Sequence, residues 1–321
     1  MSGLRLAKKN RVTSGAVGGP DKAELEVEGR LIKLTNLDRV LYPETGFTKR
    51  DLIDYYAAVS PLLLPHLENR PLSMKRYPGG VEGESFWEKQ CPDHRPDWVT
   101  TASIKSRSSA RGSVRYCLVN DLPTLIWIAN LACIELHVSL ARATRRKTPD
   151  FMVFDLDPGE GVDILGCAEI ALLIHDTLEG QGLDAEAKVS GSKGIQVYVP
   201  LNSRARYERT SDFAHSLARA FEDEMPDRIV SKMRKALRKG KILIDWSQNS
   251  EHKTTVAVYS MRAKPEPSVS TPVTWDQLER AYDRGDASAL QFKPEWVLKH
   301  LVVEDDDPFA PVLTESQKLP R

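Results

Sequence analysis

Apolar residues recur at helical spacing after Thr48. Leu52, Tyr55, Tyr56, Val59, Leu62 and Leu63 share one face, which predicts a helix capped by Thr48 and running to about His66. Pro61 and Pro65 predict a kink or an early end to it. Residues 122–133 are apolar nearly throughout and read as a buried helix, after which 134–138 alternate as a strand with Glu135 and His137 on one face. A second strand is expected over 151–157, followed by a Pro-Gly turn and an apolar helix over 164–178. Residues 188–201 read as strand, Gly-rich turn and strand. Helices are expected over 212–224 and 228–239, and strands over 242–246 and 254–260. Strands alternating with helices, with some hairpins, predict a mixed α/β or α+β fold.

The two ends lack this periodicity. Residues 1–23 carry five basic side chains against Asp21 and read as a flexible arm, and 302–321, opening on Glu304-Asp305-Asp306-Asp307, read as an acidic tail. The body between them, 24–301, shows no internal repeat or low-complexity linker. It is expected to form one domain with an N-terminal lobe over about 24–120 and a catalytic core over about 121–301.

Charge sharpens the picture only locally. The 321 residues hold 45 Lys+Arg and 45 Asp+Glu, a net charge of zero, which excludes a histone-like binder that relies on a large basic excess. Yet 228–241 holds seven basic residues and no acidic one, and 101–120 is also free of acids while carrying Lys105, Arg107, Arg111 and Arg115. On a helix, Arg228, Lys232, Lys235 and Lys239 would form one exposed stripe suited to an anionic backbone. Four cysteines without a C-x-x-C pair predict free thiols, and Cys91-Pro92-Asp93-His94 is only half a metal site. No signal-like or membrane-spanning run occurs, so a cytoplasmic protein with no membrane partner is expected.

Candidate chemistry begins at Phe154-Asp155-Leu156-Asp157-Pro158-Gly159. Carboxylates two apart on a strand face the same side, a geometry suited to hard divalent cations. Asp245 ends another apolar strand, and three converging carboxylates are what a two-metal phosphoryl-transfer centre requires. Ser190-Gly191-Ser192-Lys193-Gly194 lies between two strands and has the small residues and point charge of a phosphate cradle, without being a Walker loop. Phe86 and Trp87, adjacent in a polar loop after Lys75-Arg76-Tyr77, could stack on bases.

The order LTNLDRVLYPETGFTK, PLSMKRYPGGVEGESFWEKQ, FDLDPGEG, SGSKG, IDWSQN and KTTVAVYSMRA resembles the polymerase domain of bacterial ligase D and its stand-alone relatives, members of the archaeo-eukaryotic primase superfamily. The resemblance covers about 34–313. It implies an α+β primase-like core with mixed and antiparallel sheets flanked by helices, and template-directed nucleotidyl transfer in end joining and gap filling. It further implies a preference for ribonucleotides and 5′-phosphorylated gaps. Asp155, Asp157 and Asp245 would hold two Mn²⁺ or Mg²⁺ ions. Ser190, Lys193, Gln196, His137, Gln248, Arg262, Lys75 and Arg76 match positions near the nucleotide or in the cleft, while Arg39 and Lys49 match a pocket for the downstream 5′-phosphate. Phe86 and Trp87 match aromatics that stack on the template. Implied partners are gapped or broken DNA, NTP or dNTP, a DNA ligase and a Ku-type end binder. Most relatives carry His where this chain has Gln196, and an amide can hydrogen-bond there but cannot become cationic. A non-catalytic end-binding scaffold of the same fold is the alternative.

Overall fold

The computed structural model describes residues 12–13, 22–106, 109, 111–304 and 307–320. The chain divides into two compact units that interleave along the sequence. One comprises Met1–Val138, Tyr259–Ser268 and Lys293–Asp306, the other Ser139–Val258, Val269–Phe292 and Asp307–Arg321. The boundary therefore falls after Val138 rather than near residue 120, and later segments return to the first unit instead of extending a contiguous core.

In the first unit Thr48 starts the helix Lys49–Leu67 through a capping box: its hydroxyl accepts from Asp51 N, and the Asp51 carboxylate accepts from Thr48 N. The helix continues through Pro61 and Pro65 rather than ending there. Its apolar face buries Leu52, Tyr56, Val59 and Leu63. A second helix, Leu122–Asn130, is capped by Asp121, whose carboxylate accepts from Thr124 N and pairs with Arg30. Three antiparallel strands carry this unit's chemistry: Phe86–Glu88, Leu72–Arg76 and Cys133–Val138, with Lys75 opposite both Trp87 and Glu135. Cys91 and Cys117 form a disulfide, correcting the expectation of four free thiols; Cys133 and Cys167 are buried and free. Residues 1–11, 14–21 and Arg107 lie outside the described residues. Val12–Thr13 is a strand paired with Glu26–Val27, so that part of the expected arm is sheet.

The second unit is built on a six-stranded sheet in the order Ile229–Val230, Ile242–Asp245, Phe151–Pro158, Ile195–Pro200, Glu186–Val189, Pro272–Val273. All neighbours are antiparallel except the first two strands. The strands Phe151–Pro158 and Ile195–Pro200 lie at its centre and are buried for most of their length, which is why they read as continuous apolar runs. Helix Ile164–Glu179, capped by Asp163, packs on this sheet, and helix Trp275–Arg284 packs on that helix. The strand expected over 254–260 shortens to Thr255–Val256, and Tyr259 takes a left-handed φ of 63°.

Two expectations are overturned. Residues 228–239 are not a helix: helix Tyr207–Glu224 ends before Pro226, Ile229–Val230 is drawn into the sheet beside Ile242–Leu243, and only Lys235–Leu237 makes a short 3₁₀ turn. Burial of two β-branched residues in a parallel pair outweighs the helical spacing of the charges. Residues 307–320 are not a tail either. Phe309 and Val312 are buried, Pro311–Thr314 is helical, and Asn202 Nδ2 donates to the carbonyls of Val312 and Glu315. The Gln317 amide donates to the carbonyls of Asp184 and Pro200. Two apolar residues and the amides of Asn202 and Gln317 hold this end to the sheet more firmly than its leading acids suggest, and Asp305 and Asp306 lie outside the described residues.

The turn after Asp157 grips the basic segment. Gly159 N donates to Lys241 O at 2.8 Å and Gly240 N to Glu160 O at 2.8 Å, and a Cβ at Gly159 would meet Arg238 O at 1.7 Å. No side chain fits that approach. Gly159→Ala is therefore expected to destabilise the protein by about 2 kcal/mol or more, read as a lower urea midpoint with an unchanged m-value.

Candidate active site

One rung of the second unit's sheet concentrates its polar residues. In antiparallel pairing, directly opposed side chains share a face. Asp245 opposes Asp155, Asp155 opposes Gln196, and Gln196 opposes Lys188, so two carboxylates, an amide and an ammonium run in one row across four strands. Asp157, two residues on from Asp155, shares that face at the strand end. Burial and then the neighbouring Asp157 charge push the Asp155 carboxyl up to about 7, with Asp245 adding to the rise; the Gln196 hydrogen bond and the Lys188 charge oppose it. Lys188 is fully buried and its ammonium donates to Ser270 Oγ at 2.7 Å. Sequence reasoning passed over Lys188; its one signal was a lysine inside an otherwise apolar strand.

The structure brings Gln248 and Asp245 together with Asp155. Gln248 Nε2 donates to Asp245 Oδ2 at 3.0 Å and reaches Asp155 Oδ2 at 3.4 Å, and the buried Gln248 Oε1 has no hydrogen-bond partner. Asp245 Oδ1 accepts from Ser247 N and Oγ, while Lys253 Nζ stands 3.6 Å from Oδ2 and bonds Ser247 Oγ. Asp245 is thus occupied by protein donors. Among the described residues no group of three or more His, Cys, Asp or Glu side chains is placed to hold a metal ion, so the expected three-carboxylate cage is not preassembled. The donor chemistry nevertheless fits hard divalent cations: Asp155 and Asp157 on one face, Asp245 on the rung of Asp155, and an orphaned amide oxygen on the Gln248 side chain that reaches both Asp155 and Asp245.

The Ser190–Gly194 loop joins Glu186–Val189 to Ile195–Pro200 at the Asp157 end of the aspartate strand. Gly191 has φ of +68°, and a Cβ at Gly194 would meet Leu156 O at 2.1 Å and Asp157 Oδ1 at 3.6 Å. Glycine lets the loop close onto the aspartate strand. Ser190 Oγ accepts from the amides of Ser192 and Gly194, both at 3.2 Å, so two of the amides expected to cradle an anion are engaged internally; Lys193 is exposed.

The first unit gathers the other candidates. His137 Nε2 lies 2.9 Å from Glu135 Oε2, and Arg262 Nε lies 3.4 Å from the same oxygen. Lys75 Nζ sits over the rings of Tyr77 and Trp87, and Arg76 over Phe86 while paired with Glu88. Phe86 is 44% and Trp87 52% exposed, so each presents an aromatic surface backed by a cation. Lys49 is buried, with Nζ 3.5 Å from Thr35 Oγ1, and its amide bonds Arg39 O; Arg39 donates to Pro78 O. Burial, then the charges of Arg39 and Arg76, lower the Lys49 ammonium to about 8, the mark of cations gathered without an anion. The stripe of Arg228, Lys232, Lys235 and Lys239 is not formed: Arg228 pairs with Glu169, Lys232 stands near Glu222, and all four lie in the irregular segment.

Facing carboxylates at the end of a sheet strand and a lysine-bearing Gly loop on the adjoining hairpin sit together in an α+β frame. A family model described as the LigD primase-polymerase domain matches residues 48–308. The chain is 38% identical over 289 residues to the multifunctional non-homologous end joining DNA repair protein LigD of Mycobacterium tuberculosis, covering 86% of this chain and 36% of that protein. With the bifunctional LigD of Bacillus subtilis it shares 33% identity over 249 residues, covering 77% of this chain and 39% of that one. The solved polymerase domain from Mycobacterium tuberculosis ligase D in complex with DNA matches with a TM-score of 0.81 at 36% identity, covering 89% of this chain and 99% of that one. The chain belongs to the LigD primase-polymerase domain family, and it spans about a third of the length of the curated relatives it matches.

The raised Asp155 has a sign that can be checked. The folded state holds this proton more tightly than the unfolded chain, so Asp155 costs stability as pH rises from about 4 to about 7. Urea unfolding of the metal-free protein is expected to show stability falling across that window, and Asp155→Asn is expected to flatten the slope.

Proposed function

We propose that this chain performs template-directed nucleotidyl transfer, filling short gaps or extending ends in DNA repair. The observation that supports this best is the row of Asp245, Asp155, Gln196 and Lys188 with Asp157 and the Ser190–Gly194 loop at its edge. Asp155, Asp157 and Asp245 would hold two divalent cations, Mn²⁺ or Mg²⁺. Bound cations supply charge neutralisation for a primer hydroxyl and a triphosphate. Lys193 adds a point charge beside the loop. Ser190 orders the loop backbone and Gln196 donates to Asp155. In the first unit His137, Arg262, Lys75 and Arg76 contact the nucleotide or its strand. Phe86 and Trp87 stack on template bases, and Arg39 with Lys49 takes a 5′-phosphate. Ribonucleotide preference, a ligase partner and a Ku-type partner follow from the family resemblance.

Extension on a one-to-three-nucleotide gapped duplex tests this reading. Asp245→Ala is expected to reduce incorporation by at least about a hundredfold while leaving DNA binding within a few-fold. Binding of DNA without any extension by the native chain, in either metal, would favour the scaffold instead. Mn²⁺ affinity by calorimetry is expected to rise with pH through about 7, as Asp155 gives up its proton.

The phosphate pocket has its own pH signature. Because Lys49 is lowered to about 8, its charge is lost above that value rather than near the ordinary lysine range. The preference for 5′-phosphorylated over 5′-hydroxyl gaps should fall between pH 7.5 and about 9, and Lys49→Ala should abolish it at every pH. An unchanged preference in that variant removes Lys49 from the pocket.

A further inference from the structure

Glu135 was not among the candidate residues, yet more polar groups converge on it than on any other carboxylate described in the first unit. Its Oε2 faces His137 Nε2 at 2.9 Å and Arg262 Nε at 3.4 Å, and its Oε1 accepts from Tyr77 OH at 3.3 Å and Ala263 N at 3.2 Å. It is 4% exposed. The segment bearing Arg262 is strapped from both sides: Tyr42 OH donates to Arg262 O at 2.9 Å and Tyr56 OH accepts from Met261 N at 3.1 Å. Beyond His137 the chain of contact continues, with the Trp87 ring packed edge-on against the imidazole at a centroid distance of 4.6 Å.

We propose that Glu135 is a positioning residue that sets the ring of His137 and the guanidinium of Arg262 together, and through His137 the face of Trp87. The inference rests on the nucleotide-contacting reading of His137 and Arg262. A buried carboxylate with these neighbours serves cations and donors rather than solvent. Burial alone would raise it, but the His137 hydrogen bond and the charges of Arg262, His137 and Lys75 outweigh that and hold it at about 2. Glu135 is therefore ionised throughout the working range. As an acceptor-only group it requires that His137 Nε2 carry a proton, which orients the ring. Arg262 stands 3.4 Å from the same oxygen on its Nε side, held by charge rather than by a hydrogen bond. The two groups share one oxygen, so the ring and the guanidinium cannot be set independently.

Glu135→Gln keeps the shape and removes the charge. Gap filling by this variant is expected to show nucleotide KM raised about tenfold with kcat within about threefold, and the effect should vanish when the change is added to a His137→Ala/Arg262→Ala background. Imidazole ¹⁵N spectra, assigned with His137→Asn, should show His137 Nε2 protonated in the native chain and a shifted or mixed pattern in Glu135→Gln. This second readout does not depend on catalysis, so a native chain that fails to extend primers sinks the functional reading while the spectra still decide the role of Glu135. An unchanged KM together with unchanged His137 signals overturns the proposal, as does a Glu135→Gln penalty that persists in full in the double-variant background. Should Glu135→Gln fail to fold, Glu135→Asp, which keeps the charge but withdraws the carboxylate by one methylene, is expected to raise KM several-fold; an unchanged value refutes the role.

Discussion

The mutual repulsion of Asp155 and Asp157, held on one face at the end of a central strand, is the constraint that organises the second unit. Strand geometry leaves the pair no way to diverge, because residues two apart must face the same side. Removal from water then makes each charge costly. The surrounding residues read as partial answers to that cost. Gln196 donates to Asp155 from the next strand, Lys188 places a buried ammonium one strand further on, and Gln248 bridges toward Asp245. None of them completes the neutralisation, since Asp155 still holds a proton up to about 7. A site that retains unmet negative charge at neutral pH is suited to attract a cation and a nucleotide bearing one.

Glu135 in the first unit shows that burial does not by itself decide the outcome. Both carboxylates are withdrawn from solvent, and burial pushes both upward. Asp155 goes to about 7 because its nearest charge is another carboxylate, and Glu135 falls to about 2 because its neighbours are an imidazole, a guanidinium and a lysine. The first is poised to change its partner, whereas the second is a fixed anchor. The half-buried Asp155 and the buried Glu135 therefore serve opposite ends: one remains available to a ligand, and the other spends its charge on orienting side chains.

The basic segment after helix Tyr207–Glu224 illustrates how tertiary demands override local spacing. Its lysines and arginines recur at helical intervals, yet two β-branched residues at its start gain more from joining a sheet edge than from a solvated helix. The glycine turn after Asp157 then clamps the other end through Gly159 and Gly240. The segment is held at both ends by backbone contacts, and its charges follow that path instead of setting it.

Much of the frame was legible because it depends on short-range rules. The Thr48 cap, the helix over Ile164–Glu179, the hairpin around Ser190–Gly194 and the pairing of Glu135 with His137 on one strand face all follow from spacing and residue type, and long specific segments identified the family. Sequence order could not show that Lys188, Gln196, Asp155 and Asp245 share a rung, because strand register is fixed by packing between residues far apart in the chain. Nor could it show that Gln248 and Lys253 occupy Asp245, that Cys91 meets Cys117, or that Phe309 and Val312 bury an acidic end. The sequence alone determined which chemical groups were available and the local elements that carry them. Only the tertiary structure decided which charges become neighbours and how much water each loses, and those two quantities set whether a carboxylate binds a proton, a cation or a protein donor.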